Sequence, residues 1–197
     1  MVAAPCVGVL ALQGAFARHV EMLDGIGAET VEVRQPAHLD GLDALVVPGG
    51  ESTTMAKLLD TFELFEPMAK LLDDGLPVFG TCAGMILMAT HVADGRPDQR
   101  SFATVDLDVR RNGYGRQIDS FEADLAIEGL HGPPVRAVFI RAPVVERAGP
   151  EVQVLATVDD VPVLCRQGAA LVSSFHPELT DDDRLHRLFI DEVVAVG

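Results

Sequence analysis

The chain is short of cysteine and of basic side chains, and it has no long hydrophobic run. Each shortage removes a class of function. Cys6, Cys82 and Cys165 are the three cysteines; they cannot all pair, and no metal-like spacing links them. That pattern fits a reducing cytoplasm better than a disulfide-stapled exterior, and it offers no metal site. Lys and Arg total 15 against 30 Asp and Glu, a formal charge of −15 at pH 7. A phosphate backbone demands a basic face, so nucleic acid is an unsuitable partner. The acidic surface reads as solvated, or as complementary to a basic partner. The longest apolar stretches are strand-length and fall short of a membrane span. The first residues carry no basic flank before the apolar run, which reads against a secretion signal.

What is present is a core. Hydrophobic residues make up 48% of 197, with no composition break, so one α/β domain over 1–197 is expected. Cys6 to Leu12 reads as a buried strand, followed by a helix carrying Phe16, Val20 and Leu23 on one face and broken at Gly25 and Gly27. Thr30 to Val33 and Ala44 to Val47 read as strands, Thr54 to Leu59 and Leu64 to Leu72 as helices, and Val78-Phe79 as a fourth strand. This alternation predicts a mostly parallel sheet with helices on both faces and a ligand crevice beyond the strands' carboxyl ends. Further on, Thr104 to Arg110 and Val135 to Ile140 look like strands, and Asn112-Gly113 signals a tight turn. Gln153 to Leu164 and Ala170 to Val172 add hairpin-like pieces, an antiparallel extension. Thr180 is the expected N-cap of a last helix, with Asp181, Asp182 and Asp183 at its positive end and Leu185, Leu188, Phe189 and Val193 as its apolar stripe.

Gly80-Thr81-Cys82-Ala83-Gly84 sits between the fourth strand and a helix-forming stretch. Small residues around one cysteine at such a junction describe a sharp turn that lifts a side chain into a cleft. Unpaired N–H groups at the helix start favour a reactive sulfur there. An inert core thiol is the alternative. In Phe175-His176-Pro177-Glu178, an extended backbone would point His176 and Glu178 to the same side, with Pro177 stiffening the chain. A carboxylate beside an imidazole fixes its tautomer and stabilises its protonated form. Coupled to Cys82, the pair completes a nucleophile, a base and an orienting group.

Gly49-Gly50-Glu51-Ser52 reads either as a strand exit with a Ser/Thr helix cap or as bare N–H groups facing the cysteine turn. Amide hydrolysis creates an oxyanion that needs preorganised donors, and the N–H groups of Gly50 and Ala83 are the candidates. Arg111 and Arg141 read locally as solvated. Cys6 and Cys165 read as packing residues, and His19, His38, His91, His131 and His186 as surface residues.

The chain resembles the class I glutamine amidotransferases, which use a Cys-His-Glu triad on a flavodoxin-like sheet. More narrowly, it is similar to the glutaminase subunits of pyridoxal phosphate synthases. The likeness rests on Gly8-Val9-Leu10-Ala11-Leu12-Gln13-Gly14, Pro48-Gly49-Gly50-Glu51-Ser52-Thr53-Thr54-Met55 and Phe79-Gly80-Thr81-Cys82-Ala83-Gly84. It continues in Gly115-Arg116-Gln117, Ser120-Phe121-Glu122-Ala123-Asp124, Phe139-Ile140-Arg141-Ala142-Pro143 and Ser174-Phe175-His176-Pro177-Glu178-Leu179-Thr180. The resemblance implies catalysis by Cys82, His176 and Glu178, and glutamine contacts from Gly50, Glu51, Ser52, Arg111, Ile140 and Arg141. An arginine fork suits the substrate's α-carboxylate. No metal or organic cofactor is implied. The implied partner is a barrel-shaped synthase subunit in a large hetero-oligomer. Alternatives are the glutaminase subunit of imidazole glycerol phosphate synthase, a cysteine hydrolase of the intracellular-protease-like branch, or a non-catalytic regulatory scaffold. Residues 91–101 match nothing specific, and Val172-Ser173 replaces a glycine-cysteine often found in the family.

Overall fold

The computed structural model describes residues 3–96, 99–111 and 120–194. The Asn112-Gly113 turn and Arg116-Gln117 lie outside them. Strand β1 (Cys6–Leu10) leads to helix α1 (Phe16–Gly25), then β2 (Glu29–Val33) and β3 (Ala44–Val47). Helices α2 (Ser52–Thr61) and α3 (Phe65–Asp73) precede β4 (Val78–Thr81) and the short α4 (Ala83–Met88). Strands β5 (Ala89–Val92), β6 (Val105–Arg110), β7 (Ser120–Leu125), β8 (Val135–Ile140) and β9 (Val144–Ala148) follow. The chain finishes with β10 (Gln153–Val158), β11 (Val161–Gln167), β12 (Ala170–Ser173), α5 (Arg184–Leu188) and a π-helical turn, Phe189–Val194.

The central sheet has seven strands in the order β10-β11-β12-β4-β3-β1-β2. Five strands, β12 through β2 in that order, run parallel; β10 and β11 form the antiparallel extension. Successive side chains of a strand point to opposite faces, so each parallel strand feeds two cores. Leu45 and Val47 of β3 join a core with Met55, Leu59, Met68, Leu72 and Met85 from α2, α3 and α4. Ala44 and Val46 join the other, with Leu23 of α1, Leu185 and Leu188 of α5, and Phe139 of β8. Burial on both faces explains the near-continuous apolar runs of these strands. Two smaller sheets, β5-β6-β9 and β7-β8, extend the layers. No helix among the described residues is long and apolar enough to cross a membrane.

One local expectation is extended and two are corrected. Ala170 to Val172 forms the expected hairpin with β11, and β12 also pairs in parallel with β4, which makes it a central strand. Its apolar composition alone does not tell a paired edge from a buried centre. Thr180 does not cap the last helix, which begins at Arg184 after Asp183. The Thr180 N–H and hydroxyl instead donate to Pro177 O at 3.4 and 3.2 Å, closing a 3₁₀ turn. That turn, Pro177–Leu179, also replaces the extended backbone expected through His-Pro-Glu. Proline's fixed φ suits the first position of a helical turn as well as it suits a strand.

Candidate active site

Strand order places the site. The exits of β3, β4 and β12 are neighbours in the sheet, and they carry Gly49-Gly50, Cys82 and His176. Cys82 N–H donates to Ser173 O at 2.8 Å, tying the last two exits together. Cys82 itself has φ 51° and ψ −103°, a backbone state that side-chain-bearing residues rarely hold. Such a turn exists only because its surroundings are small. A Cβ on Gly84 would stand 2.1 Å from Val47 O. The strain is thus held in place by close packing of α4 against β3.

His176 is anchored by its N–H to Val138 O of β8 at 2.9 Å. Its Nδ1 lies 2.8 Å from Glu178 Oε1, so the turn brings the carboxylate to the ring that sequence spacing paired with it. The Cys82 side chain shares one cleft with the same ring, and its thiol donates weakly to Ile140 O at 3.9 Å. Burial works against charge on the His176 ring. Hydrogen bonds to Cys82 and Glu178 outweigh it and hold the group up at about 10. Glu178 is fully buried, which opposes its charge, but the His176 and His19 rings hold it well below the ordinary carboxylate range. Sulfur and imidazole thus share one cleft, with the carboxylate bonded to the ring.

Gly49 is the close neighbour of this set. A Cβ there would sit 2.4 Å from His176 Cε1 and 3.3 Å from Cys82 Cβ. Sequence reading sets the Gly49-Gly50 pair against the cysteine turn but assigns a role to Gly50 alone.

An open cleft of about 180 Å³ lies over the sulfur, lined by Gly50, Glu51, Ser52, Arg111, Ile140 and Arg141 besides Cys82, Ile86 and His176. It gathers all six residues expected to contact a ligand. Ala83 is buried beneath it and does not line it. The helix cap is also corrected: Glu51, not a Ser or Thr, caps α2, accepting from Thr53 N–H at 3.0 Å and Thr54 N–H at 2.8 Å. Burial, the largest single influence, raises the Glu51 carboxyl, yet the Thr54 hydroxyl, these two N–H groups and Arg111 together bring it down to about 2. Arg111 Nη2 bonds Glu51 at 2.7 Å. Arg141 has no ion-pair partner among the described residues. The cleft thus presents a fixed carboxylate and an unpaired guanidinium on opposite sides of its charge balance.

Gln99 lies in the segment 91–101, to which the sequence alone assigns no role. Its amide nitrogen donates to Ser52 Oγ at 3.3 Å, and its oxygen accepts from Thr53 Oγ1 at 3.3 Å and Arg111 Nη1 at 3.4 Å. It bridges the α2 start to the arginine.

Two histidines expected at the surface are fully buried: His19 on α1 and His186 on α5. The helical periodicity contained the signal. His19 stands three residues after Phe16 and four before Leu23, on the apolar stripe, and His186 stands three before Phe189. Cys165 is buried as expected, while Cys6 is only half-buried. Burial pushes His186 down to about 3, with the neighbouring His19 acting in the same direction. A depressed folded-state value leaves the associated stability intact above the unfolded value near 6.5 and removes it as pH falls toward 3. Between pH 7 and 5, wild type is therefore expected to lose about 2 kcal/mol relative to His186→Leu. Urea unfolding of both proteins at the two pH values measures it; a constant difference contradicts it.

Comparisons with known proteins bear on the family and the fold. The family model described as "SNO glutamine amidotransferase family" matches residues 9–195. A relative from Frankia alni, named pyridoxal 5'-phosphate synthase subunit PdxT, is 57% identical over 98% of this chain and 97% of its own. One of the same name from Rhodococcus jostii is 54% identical over 98% of both chains. A crystal structure titled as a glutamine amidotransferase superposes with a TM-score of 0.89 at 50% identity, covering 97% of this chain and 99% of that one. Matched almost from end to end, in sequence and in backbone, this chain belongs to the SNO glutamine amidotransferase family.

Proposed function

We propose that this protein, acting as a single domain, hydrolyses the side-chain amide of L-glutamine and supplies the ammonia to a synthase subunit that makes pyridoxal 5'-phosphate. The supporting observation is one cleft in which the Cys82–His176–Glu178 set meets Glu51 and Arg141. Free glutamine is a zwitterion beyond its amide, so a carboxylate and a guanidinium at the mouth suit its ammonium and α-carboxylate. Arg111, held by Glu51 and Gln99, completes that end, and Ile140 and Ser52 flank the side chain.

His176 takes the Cys82 proton, and the thiolate so formed attacks the amide carbon while the N–H groups of Gly50 and Ala83 hold the developing oxyanion. His176, protonated at neutral pH, delivers its proton to the departing nitrogen, and the C–N bond breaks to leave a glutamyl thioester and ammonia. The ring, now neutral, takes a proton from water, whose oxygen displaces the sulfur to give glutamate. Glu178 keeps the ring oriented throughout.

Ammonia released into neutral water is mostly protonated and lost as a nucleophile, so a glutaminase without its own acceptor site must pass it directly. The relatives' names support a pyridoxal 5'-phosphate synthase as recipient. The partner in this reading is a barrel-shaped subunit, assembled with this chain in a large hetero-oligomer. Glutamate release is expected to rise at least about tenfold when the cognate synthase is added, because closure around the site tightens apo geometry. A rate indifferent to the synthase counts against that partner, and no glutamate in either case overturns the activity.

A further inference from the structure

Behind the Cys82–His176–Glu178 set, the polar chain does not stop. Glu178 Oε1 is taken by His176, but its second oxygen, Oε2, has no well-aligned donor among the described residues. His19 Nε2 stands 3.3 Å from that oxygen and equally 3.3 Å from Thr81 Oγ1. On its other side, His19 Nδ1 lies 2.9 Å from His186 Nε2, and His186 Nδ1 has no partner among the described residues. Both rings are wholly buried, packed edge-on against Phe79. Four ionisable side chains from the elements after β12, from α1 and from α5 thus run in series from the reactive sulfur into the core.

We propose that His19 is a positioning residue for the reaction, holding the outer oxygen of Glu178, and that His186 fixes His19 in the tautomer able to do so. The inference rests on the glutaminase reading above. A carboxylate only accepts, so its oxygen must face an N–H, which puts a His19 proton on Nε2; in the neutral ring this leaves Nδ1 as an acceptor. One proton occupies the contact between His19 and His186; it must then come from His186 Nε2. His186 is held neutral by burial, and a neutral imidazole with its proton on Nε2 has a bare Nδ1, the atom found unpartnered. The assignment therefore leaves an orphan lone pair in the core, not an orphan N–H. The groups acting on His19 are Glu178 from the 3₁₀ turn and His186 from α5. Beyond them lie His176 on Glu178, and Asp183 at the start of α5 acting on His186. A carboxylate faced by a ring nitrogen at each oxygen is hindered from swinging away from His176, and no other observed contact of the mechanism requires a histidine at 19.

The test is a variant series on the full-length chain with its synthase, read by glutamate release and by iodoacetamide alkylation of the Cys82 peptide against pH. His19→Leu is expected to lower kcat about 10- to 50-fold with little change in KM, because a loosened orienting group misplaces the base. The pH midpoint of alkylation is expected to rise by about half a unit or more as the imidazolium loses support. His19→Gln places an amide N–H near the Nε2 position and is expected to recover kcat to within about threefold of wild type. In a Glu178→Gln background, His19→Leu is expected to add no more than about a twofold loss, since its effect passes through Glu178. An unchanged kcat and midpoint in folded His19→Leu, an equal loss in the Glu178→Gln background, or a Gln variant no better than Leu overturns the proposal. If His19→Leu does not fold, His19→Gln is compared with His19→Asn, whose shorter amide cannot reach Glu178; equal activities overturn it. Should wild type release no glutamate, the glutaminase reading fails, while the alkylation midpoints still decide the role of His19.

Discussion

Cys82→Ala is expected to release no glutamate above background, a loss of roughly 10⁴-fold or more, while remaining folded. The size follows from the chemistry: without sulfur there is no thioester, and the remaining donors can only bind the amide. The fold should survive because the side chain is small and its observed contacts are the His176 ring and a long one to Ile140 O at 3.9 Å. Backbone strain provides an independent control. At φ 51° and ψ −103° any Cβ is unfavourable, so Cys82→Gly should also be inactive yet at least about 1 kcal/mol more stable than Cys82→Ala. Glutamate assays and urea unfolding of the three proteins measure both effects. Full activity in Cys82→Ala rules out the covalent mechanism.

Gly49→Ala is expected to cost about 10²-fold or more in kcat, though residue 49 takes no part in the chemistry. Its added methyl would stand 2.4 Å from His176 Cε1 and 3.0 Å from Nδ1, far inside any real carbon contact. The ring has no easy retreat. Nδ1 is held by Glu178 at 2.8 Å, and the backbone by Val138 O at 2.9 Å. Either the ring tilts off the sulfur or the β3 exit shifts and takes the Gly50 N–H with it; each breaks one part of the machinery. Glutamine KM should change much less than kcat. A near-wild-type kcat would show that the site tolerates more movement than its packing implies.

The local parts of the site were readable because they depend on a few adjacent residues. A cysteine between small residues at a strand-to-helix junction dictates an elbow, and two residues are the whole separation of His176 from Glu178. Even there the backbone differed, a 3₁₀ turn in place of an extended strand, with the same pairing as outcome. Arg111 and Arg141 read as solvated on local pattern, and only the resemblance placed them at a ligand; the structure seats both on the cleft wall. Gln99 carried no local pattern at all, since its partners Ser52, Thr53 and Arg111 are distant in the chain. His19 and His186 lay on recognisable apolar stripes, yet a polar residue type outweighed its position in the reading.

By itself the sequence determined the alternation of strands and helices, the two-faced burial of the sheet, the elbow at Cys82 and the His176–Glu178 couple. These depend on backbone sterics and on the spacing of apolar residues, which act over a few positions. The tertiary structure decided that β3, β4 and β12 leave the sheet side by side, that Gly49 abuts the His176 ring, and that α1 and α5 meet behind Glu178. Such meetings depend on which strands pair and which helix faces pack together, a choice made by the whole core at once.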